Sequence, residues 1–293
     1  MHIPVMVNEV IKYLVYEGGK VYVDGTLGGG GHSIEILKAS SPYGILIGID
    51  MDKEALNISR ERLKEYRNNV YLFNDNFLNI PDILNNLNIK FADGILLDLG
   101  VSSFQLMNSE RGFSFRYESF LDMRMNRDMD KSAVNIINEY PKEEIEKILK
   151  EYGEERWANK IADLIVKRRV KTSIKTTKEL EEIVISAIPP KFRSRRINPA
   201  TRTFQAIRIA VNDELKNLEN SIPKLINILN KRGRFVVITF HSLEDRIVKR
   251  KFKDFEKKGK IRTLTKKVQR PSKEEINLNP RARSAKLRAV ERI

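Results

Sequence analysis

The run Val21-Tyr22-Val23-Asp24-Gly25-Thr26-Leu27-Gly28-Gly29-Gly30-Gly31-His32 constrains this chain more than any other stretch. A short β-branched strand ends in an acid, passes through four consecutive glycines and enters a helical segment. Glycine lacks Cβ, so it takes positive φ cheaply and lets backbone approach a ligand; the helix that follows offers unpaired N–H groups at its start. A strand, a glycine loop and a helix in this order open a βαβ unit with a nucleotide-type cofactor at the turn.

Glycine spacing and the acid bear on which cofactor. A dinucleotide fingerprint requires G-x-G-x-x-G, whereas Gly28-x-Gly30 is followed three residues later by Ser33. Asp24 at the strand end repels a pyrophosphate and can pair instead with a cationic ligand such as the amino group of S-adenosylmethionine. On this run alone, a structural turn or another nucleotide remains open.

The first hundred residues alternate strand and helix, the pattern of a parallel sheet. Strands are expected at Val21–Asp24, Gly44–Asp50, Val70–Phe73 and Gly94–Gly100, with helices around Ser33–Ala39, Lys53–Tyr66 and Ile80–Leu87 between them. After Asp98 the alternation stops for about a hundred residues, far beyond the ordinary loop of about 4–6. That stretch reads as an inserted all-α domain, because Trp157, Ile161, Leu164 and Ile165, and then Leu180, Ile183, Val184 and Ala187, recur at helical spacing. Phe204–Leu218 reads as one amphipathic helix, Gly233–Phe240 as a buried strand, Leu243–Phe255 as a basic helix and Ser284–Ile293 as a final edge strand. The expected organisation is a discontinuous α/β domain over 1–105 and 203–293, interrupted by a helical, substrate-recognising domain over 106–202.

In an open parallel sheet, ligands bind beyond the carboxyl ends of the strands where strand order reverses. Those ends carry Asp24 with the glycine loop, Asp50 with Asp52, Asp75-Asn76-Phe77, and Asp98-Leu99-Gly100. Asp50, about twenty residues past the glycines, suits ribose hydroxyls. Phe77 is placed to lie against an adenine, and Asp98 near the reacting centre. Singly, each acid reads as a turn or cap residue; four in register read as a site. His2, His32 and His241 are too scattered for a metal triad, so no catalytic metal is expected, and His32 at a helix start reads as a cofactor contact or cap. His241 faces either a target base or the core.

Lys and Arg outnumber Asp and Glu by 54 to 39, a formal charge of +15, which favours a polyanionic partner where the charge clusters. It does cluster. Lys191 to Arg202 carries five basic and no acidic residues, and Arg246 to Arg270 carries twelve against two. Arg193, Arg195, Arg196, Arg202, Lys249 and Arg250 are the expected nucleic-acid phosphate contacts, with Phe192 and Phe204 available for base stacking. Cysteine is absent, excluding disulfides, thiolate zinc and a cysteine nucleophile. With neither a secretory leader pattern nor a spanning apolar run, the expectation is a soluble, cytoplasmic protein without a membrane partner. Oligomeric state is open.

Longer blocks resemble a known family. Asp24-Gly25-Thr26-Leu27-Gly28-Gly29-Gly30-Gly31-His32-Ser33, Asp98-Leu99-Gly100-Val101-Ser102-Ser103-Phe104-Gln105-Leu106, Glu110-Arg111-Gly112-Phe113-Ser114-Phe115, Leu121-Asp122-Met123-Arg124-Met125, Tyr152-Gly153-Glu154-Glu155-Arg156, Asn198-Pro199-Ala200-Thr201-Arg202-Thr203-Phe204-Gln205-Ala206, Phe240-His241-Ser242-Leu243-Glu244-Asp245-Arg246 and Asn279-Pro280-Arg281-Ala282-Arg283-Ser284 follow in order along essentially the whole chain. They resemble the bacterial small-subunit ribosomal RNA (cytosine-N4) methyltransferases, the RsmH/MraW family. The resemblance implies a class I S-adenosylmethionine-dependent methyltransferase fold (Rossmann-like, mostly parallel sheet) with a helical insertion, acting on one cytidine of the decoding region in small-subunit ribosomal RNA or the small ribosomal subunit. It places cofactor contacts on Gly30, Gly31, His32, Asp50, Phe77, Asp98 and Gln105. Phe104 departs from the family's usual proline, on the loop carrying Gln105.

Asp98 is the first candidate for a catalytic acceptor on the target amine, with the carbonyls of Leu99 to Val101 as alternatives. DNA amino-methyltransferases use an Asp/Asn/Ser-Pro-Pro-aromatic loop, whereas this chain has Asp98-Leu99-Gly100-Val101. Such an enzyme remains an alternative, separated by substrate. A non-catalytic RNA-binding assembly factor has no use for Asp50, Phe77 and the glycine loop, and an NAD-dependent enzyme leaves the arginine cluster without a role.

Overall fold

The computed structural model describes residues 4–194 and 198–293; His2, Arg195 and Arg196 lie outside the described residues. The chain divides into two compact units, Met1–Gly100 with Leu215–Ile293, and Val101–Glu214.

The first unit opens with α1 (Val7–Leu14), β1 (Val21–Asp24), α2 (Gly31–Ser40), β2 (Ile45–Asp50), α3 (Lys53–Arg62), β3 (Val70–Asn74), α4 (Ile80–Asn86) and β4 (Ala92–Asp98). The second carries α5 (Ser103–Met107), α6 (Ala133–Glu139), α7 (Lys142–Gly153), α8 (Ala158–Lys171), α9 (Thr177–Ala187) and α10 (Thr201–Asn212). The chain continues through α11 (Glu214–Asn227), β5 (Leu229–Thr239), α12 (Ser242–Lys257), β6 (Ile261–Thr263), α13 (Lys273–Leu278) and β7 (Lys286–Arg292).

The first unit holds a seven-stranded sheet in the order β3-β2-β1-β4-β5-β7-β6. Strands β1 to β5 run parallel, and β7 runs antiparallel to both its neighbours. Its inner strands are almost wholly apolar because both faces are covered. Successive side chains alternate faces. Val23, Ile47, Ile95 and Val237 pack with residues of α4, α11 and α12, while Tyr22, Leu46, Leu96 and Val236 pack with α1, α2 and α3. Order reverses at β1, which pairs with β2 on one side and β4 on the other. Asp24 and Asp98 therefore end adjacent strands at the switch point.

Two expectations are corrected. The last strand is not an edge: β7 lies between β5 and β6 and is largely buried, and β6, three residues long, forms the edge. Nor is 204–218 one helix. Asp213 takes a left-handed φ of 50°, closing α10 before α11 begins.

The second unit has its own core. The two stripes read from the sequence fall on α8 and α9 and pack with Ile145 and Leu149 of α7 and Phe204 and Ile207 of α10. A capping box between Thr176 and Glu179 starts α9. Among the described residues no helix is long and apolar enough to cross a membrane.

Candidate active site

The loop after β1 is held on every side by short polar contacts. Asp24 is 1% exposed. Its Oδ1 accepts from the Thr26 N–H at 3.2 Å and its Oδ2 from the Ser33 hydroxyl at 2.7 Å. The carboxylate anticipated to face a cationic ligand thus anchors the loop internally, and burial pushes its pKa up. Leu27 N–H donates to the Ile49 carbonyl at 3.0 Å and Gly25 N–H to that of Leu96 at 2.9 Å, so the loop continues the pairing of both neighbouring strands.

Helix α3 supports the loop from behind. Ser59 Oγ donates to the Gly28 carbonyl at 2.7 Å, and Arg62 Nη1 to that of Gly29 at 3.0 Å. Neither residue stood out in the sequence, because nothing local marks a helix side chain that reaches a loop thirty residues away. Gly30 caps α2 at φ 71°, in the left-handed region. An added Cβ there would also lie 3.1 Å from Ser59 Oγ. Gly30→Ala is therefore expected to cost about 1–2 kcal/mol in loop conformation and to weaken cofactor binding about tenfold, measured by titration calorimetry; unchanged affinity would show that the loop relaxes freely.

Asp50, at the end of β2, accepts from Gly28 N–H at 2.7 Å through Oδ2 and from Asp52 N–H at 2.8 Å through Oδ1. Each oxygen keeps a further lone pair for a ligand hydroxyl. Burial raises its pKa to about 6, against the opposing hydrogen bonds from Asp52 and Gly28. Phe77 opens a single 3-10 turn capped by Asn76. It sits at the β1 switch point, since a Cβ on Gly25 would lie 3.2 Å from Phe77 Cβ and 2.6 Å from Leu97 Cδ2.

Asp98 ends β4, its N–H donating to Thr26 Oγ1 at 2.6 Å. Its Oδ2 faces His32 Nδ1 at 3.6 Å. Its Oδ1 is sealed from solvent and has no hydrogen-bond partner among the described residues. The pKa is raised to about 6, by burial first, with His32 lowering it and Asp24 and Glu244 raising it. His32 is 6% exposed, and its Nε2 lies 2.8 Å from the Val5 carbonyl. A carbonyl only accepts, so Nε2 carries the proton. His241 caps α12: its Nδ1 accepts from Glu244 N–H at 3.4 Å. Nε2 lies 3.1 Å from Glu244 Oε1 without hydrogen-bond alignment. The side chain serves a helix start within its own unit.

Gln105 belongs to the helical unit, where it is 4% exposed and closes a capping box with Ser102 at the start of α5. Arg193 is also turned inward. Its Nε and Nη2 donate to the Ile188 and Ile185 carbonyls at 2.9 and 2.8 Å, satisfying the end of α9. Arg202 is exposed and donates to the Glu154 carbonyl at 3.1 Å. Lys249 and Arg250 lie exposed on α12, and Arg250 pairs with Glu219 at 2.6 Å.

One buried carboxylate, Asp24, and two half-buried ones, Asp50 and Asp98, beside a glycine loop suit a cationic nucleotide-type ligand and disfavour a pyrophosphate. The half-buried Asp98 carboxylate keeps an accessible edge that can accept from a ligand N–H. The sheet order with one antiparallel strand, the loop and the acids at β1, β2 and β4 define a class I methyltransferase. The profile of the MraW methylase family matches residues 1–293, and the chain belongs to that family. It is 52% identical over 307 aligned residues to the ribosomal RNA small subunit methyltransferase H of Clostridium botulinum (strain Kyoto / Type A2), covering 100% of this chain and 99% of that one. The same-named protein of Halothermothrix orenii is 47% identical, with 100% and 98% covered. A solved rRNA methylase from Streptococcus thermophilus aligns at 9% identity with a TM-score of 0.45, over 98% of this chain and 93% of that one.

Proposed function

We propose that the protein transfers the methyl group of S-adenosylmethionine to the exocyclic N4 of a cytidine in the decoding region of small-subunit ribosomal RNA. The observation carrying this reading is the half-buried Asp98 carboxylate at the switch point of the sheet, beside the glycine loop. When bound, the cofactor supplies an electrophilic methyl on a sulfonium.

The residues then divide the work. The backbone of Gly30 and Gly31 and the ring of His32 would line the loop that receives the cofactor, Asp50 would accept from its ribose hydroxyls, and Phe77 would pack against its adenine. Cytosine N4 is a weak nucleophile because its lone pair is conjugated with the ring. The half-buried Asp98 carboxylate would accept an N4–H at its accessible edge, favouring the pyramidal amine whose lone pair can attack. The remaining contribution is alignment, worth up to about 7–11 kcal/mol in near-attack geometry. The helical unit and the basic residues Arg195, Arg196, Arg202, Lys249 and Arg250 hold RNA phosphates, whereas Arg193 is spent on the end of α9; affinity should fall steeply with salt.

Asp50→Ala removes two charge-assisted hydrogen bonds and is expected to raise the dissociation constant for S-adenosylmethionine about a hundredfold, read by calorimetry; a change below about threefold would remove Asp50 from the cofactor site. The reaction itself is tested by incubating labelled S-adenosylmethionine with small ribosomal subunits from cells lacking this protein, then digesting to nucleosides. Label in N4-methylcytidine is expected. Absence of label in subunits, naked RNA and DNA, despite cofactor binding, overturns the reading.

A further inference from the structure

We infer that Phe192, Trp157 and Arg156 form a stacking clamp for an unpaired base of the RNA substrate, a subsite that rests on the RNA reading above. Phe192 is 47% exposed. It is held by the 3-10 turn Pro190–Phe192 that follows Pro189, with its N–H donating to the Pro189 carbonyl at 2.9 Å. Proline fixes φ, which limits the freedom of this turn. The inward bonds of Arg193 to the end of α9 tie down the next residue. An exposed phenyl ring on a rigid support is preorganised to receive a flat partner, since little conformational entropy remains to be lost on binding.

The rest of the clamp lies around that ring. Trp157 is half-buried, with its ring centroid 5.4 Å from that of Phe192 and the planes tilted by 48°. The Arg156 guanidinium carbon lies 5.3 Å from the Phe192 centroid and 5.9 Å from that of Trp157. Lys191 Nζ is 5.1 Å from the Phe192 ring. Arg156 makes no ion pair with another described residue, so its charge is available to a phosphate. Phe204, the other aromatic expected to stack, is buried at 4% exposure and packs edge-on against Phe115 at 5.2 Å. Stacking at this surface therefore falls to Phe192 and Trp157.

The chemistry selects the ligand. A phosphopeptide would use the cations and leave the aromatic faces idle, whereas a duplex hides its base faces. Single-stranded nucleic acid presents a π-face and a phosphate within one nucleotide, the combination that aromatic residues beside arginine recognise.

Trp157 is the chain's single tryptophan, so intrinsic fluorescence reads this site directly. The experiment titrates the full-length protein with a pyrimidine-rich single-stranded RNA 12-mer and, separately, with the same sequence as a duplex. The single strand is expected to quench Trp157 and the duplex to leave it nearly unchanged. Phe192→Ala should weaken single-strand binding about tenfold, within the range measured for loss of one stacked base, and Phe192→Tyr should restore it. Phe192→Ala that binds as tightly as the parent, RNA binding without quenching, or equal quenching by the duplex would each overturn the clamp. So would failure of the 12-mer to bind at all. Methyl transfer to whole subunits is measured in parallel. If it proceeds while the clamp tests fail, only the clamp is wrong; if no subunit, RNA or DNA is labelled, the functional reading itself falls.

Discussion

Asp98→Asn is expected to slow methyl transfer at saturating cofactor by about 10²–10³-fold, the range of a positioned acid or base. The amide keeps the size of the side chain but loses its charge, and its NH₂ group opposes an incoming amine where a carboxylate oxygen accepts. The pH profile provides a separate reading of the same group. Burial is the main cause that raises the Asp98 pKa from 3.8 to about 6. Below that value the carboxyl is protonated and uncharged, so the rate should fall about tenfold per pH unit on the acid side. In Asp98→Asn that dependence should be absent from the residual rate. Stability moves in the opposite direction. Asp24, Asp50 and Asp98 all have raised pKa values in the folded chain, so the native state binds more protons than the unfolded chain between about pH 4 and 6. Unfolding free energy from these groups is then highest at the acid end of that window and declines as pH rises through it. Urea titrations of the unloaded protein at pH 4.5 and 6.5, as two points flanking about pH 5.5, should show a shallower decline in Asp98→Asn. Near-parental turnover in this variant would end the acceptor role.

The strand ends were legible because a fully covered parallel strand leaves a continuous apolar run, and the acid that closes each run is where the chain meets a ligand or a turn. Val21–Asp24 and Ile45–Asp50 carry that signature, and the structure puts Asp24, Asp50 and Asp98 at one end of the sheet. Features that depend on distant partners had no such mark. Three residues, Ile261–Thr263, are too few to show a period. Asp213 breaks 204–218 through one left-handed residue, while the apolar spacing runs on past it. Arg193 looked like part of a basic patch because charge is visible in sequence and direction is not; its guanidinium points to the α9 carbonyls. His241 likewise gave no sign of whether it would face a ligand or cap α12. Asp24 shows the same limit within the site itself, since only the fold reveals that Thr26 and Ser33 use both its oxygens.

The helical unit rests on a residue whose type argues against burial. Arg111 is 0% exposed and heads the large side chains that are fully enclosed. Its Nη2 donates to the carbonyls of Arg124 and Met125 at 3.0 and 3.1 Å, and its guanidinium lies 5.8 Å from the Phe113 ring. The same segment is bonded elsewhere: Met123 N–H reaches the Arg111 carbonyl at 3.0 Å, and Asn212 accepts from Met125 N–H at 2.7 Å while donating to the Met123 carbonyl at 2.8 Å. Arg111 thus joins the blocks Glu110–Phe115 and Leu121–Met125 through backbone groups that have no water to turn to. Removing one partner from a buried charged network typically costs about 3–5 kcal/mol, because acceptors are left unpaired and a cavity opens. Against a total of about 5–15 kcal/mol that is a large share. Arg111→Ala is therefore expected to lower the urea midpoint steeply, followed through Trp157 fluorescence, which reports on this unit alone. Arg111→Lys should fall between, since an ammonium keeps the charge but cannot reproduce the planar fork. If Arg111→Ala stays within about 0.5 kcal/mol of the parent, the size expected of an ordinary surface change, the two carbonyls have found other donors and the block is held by packing.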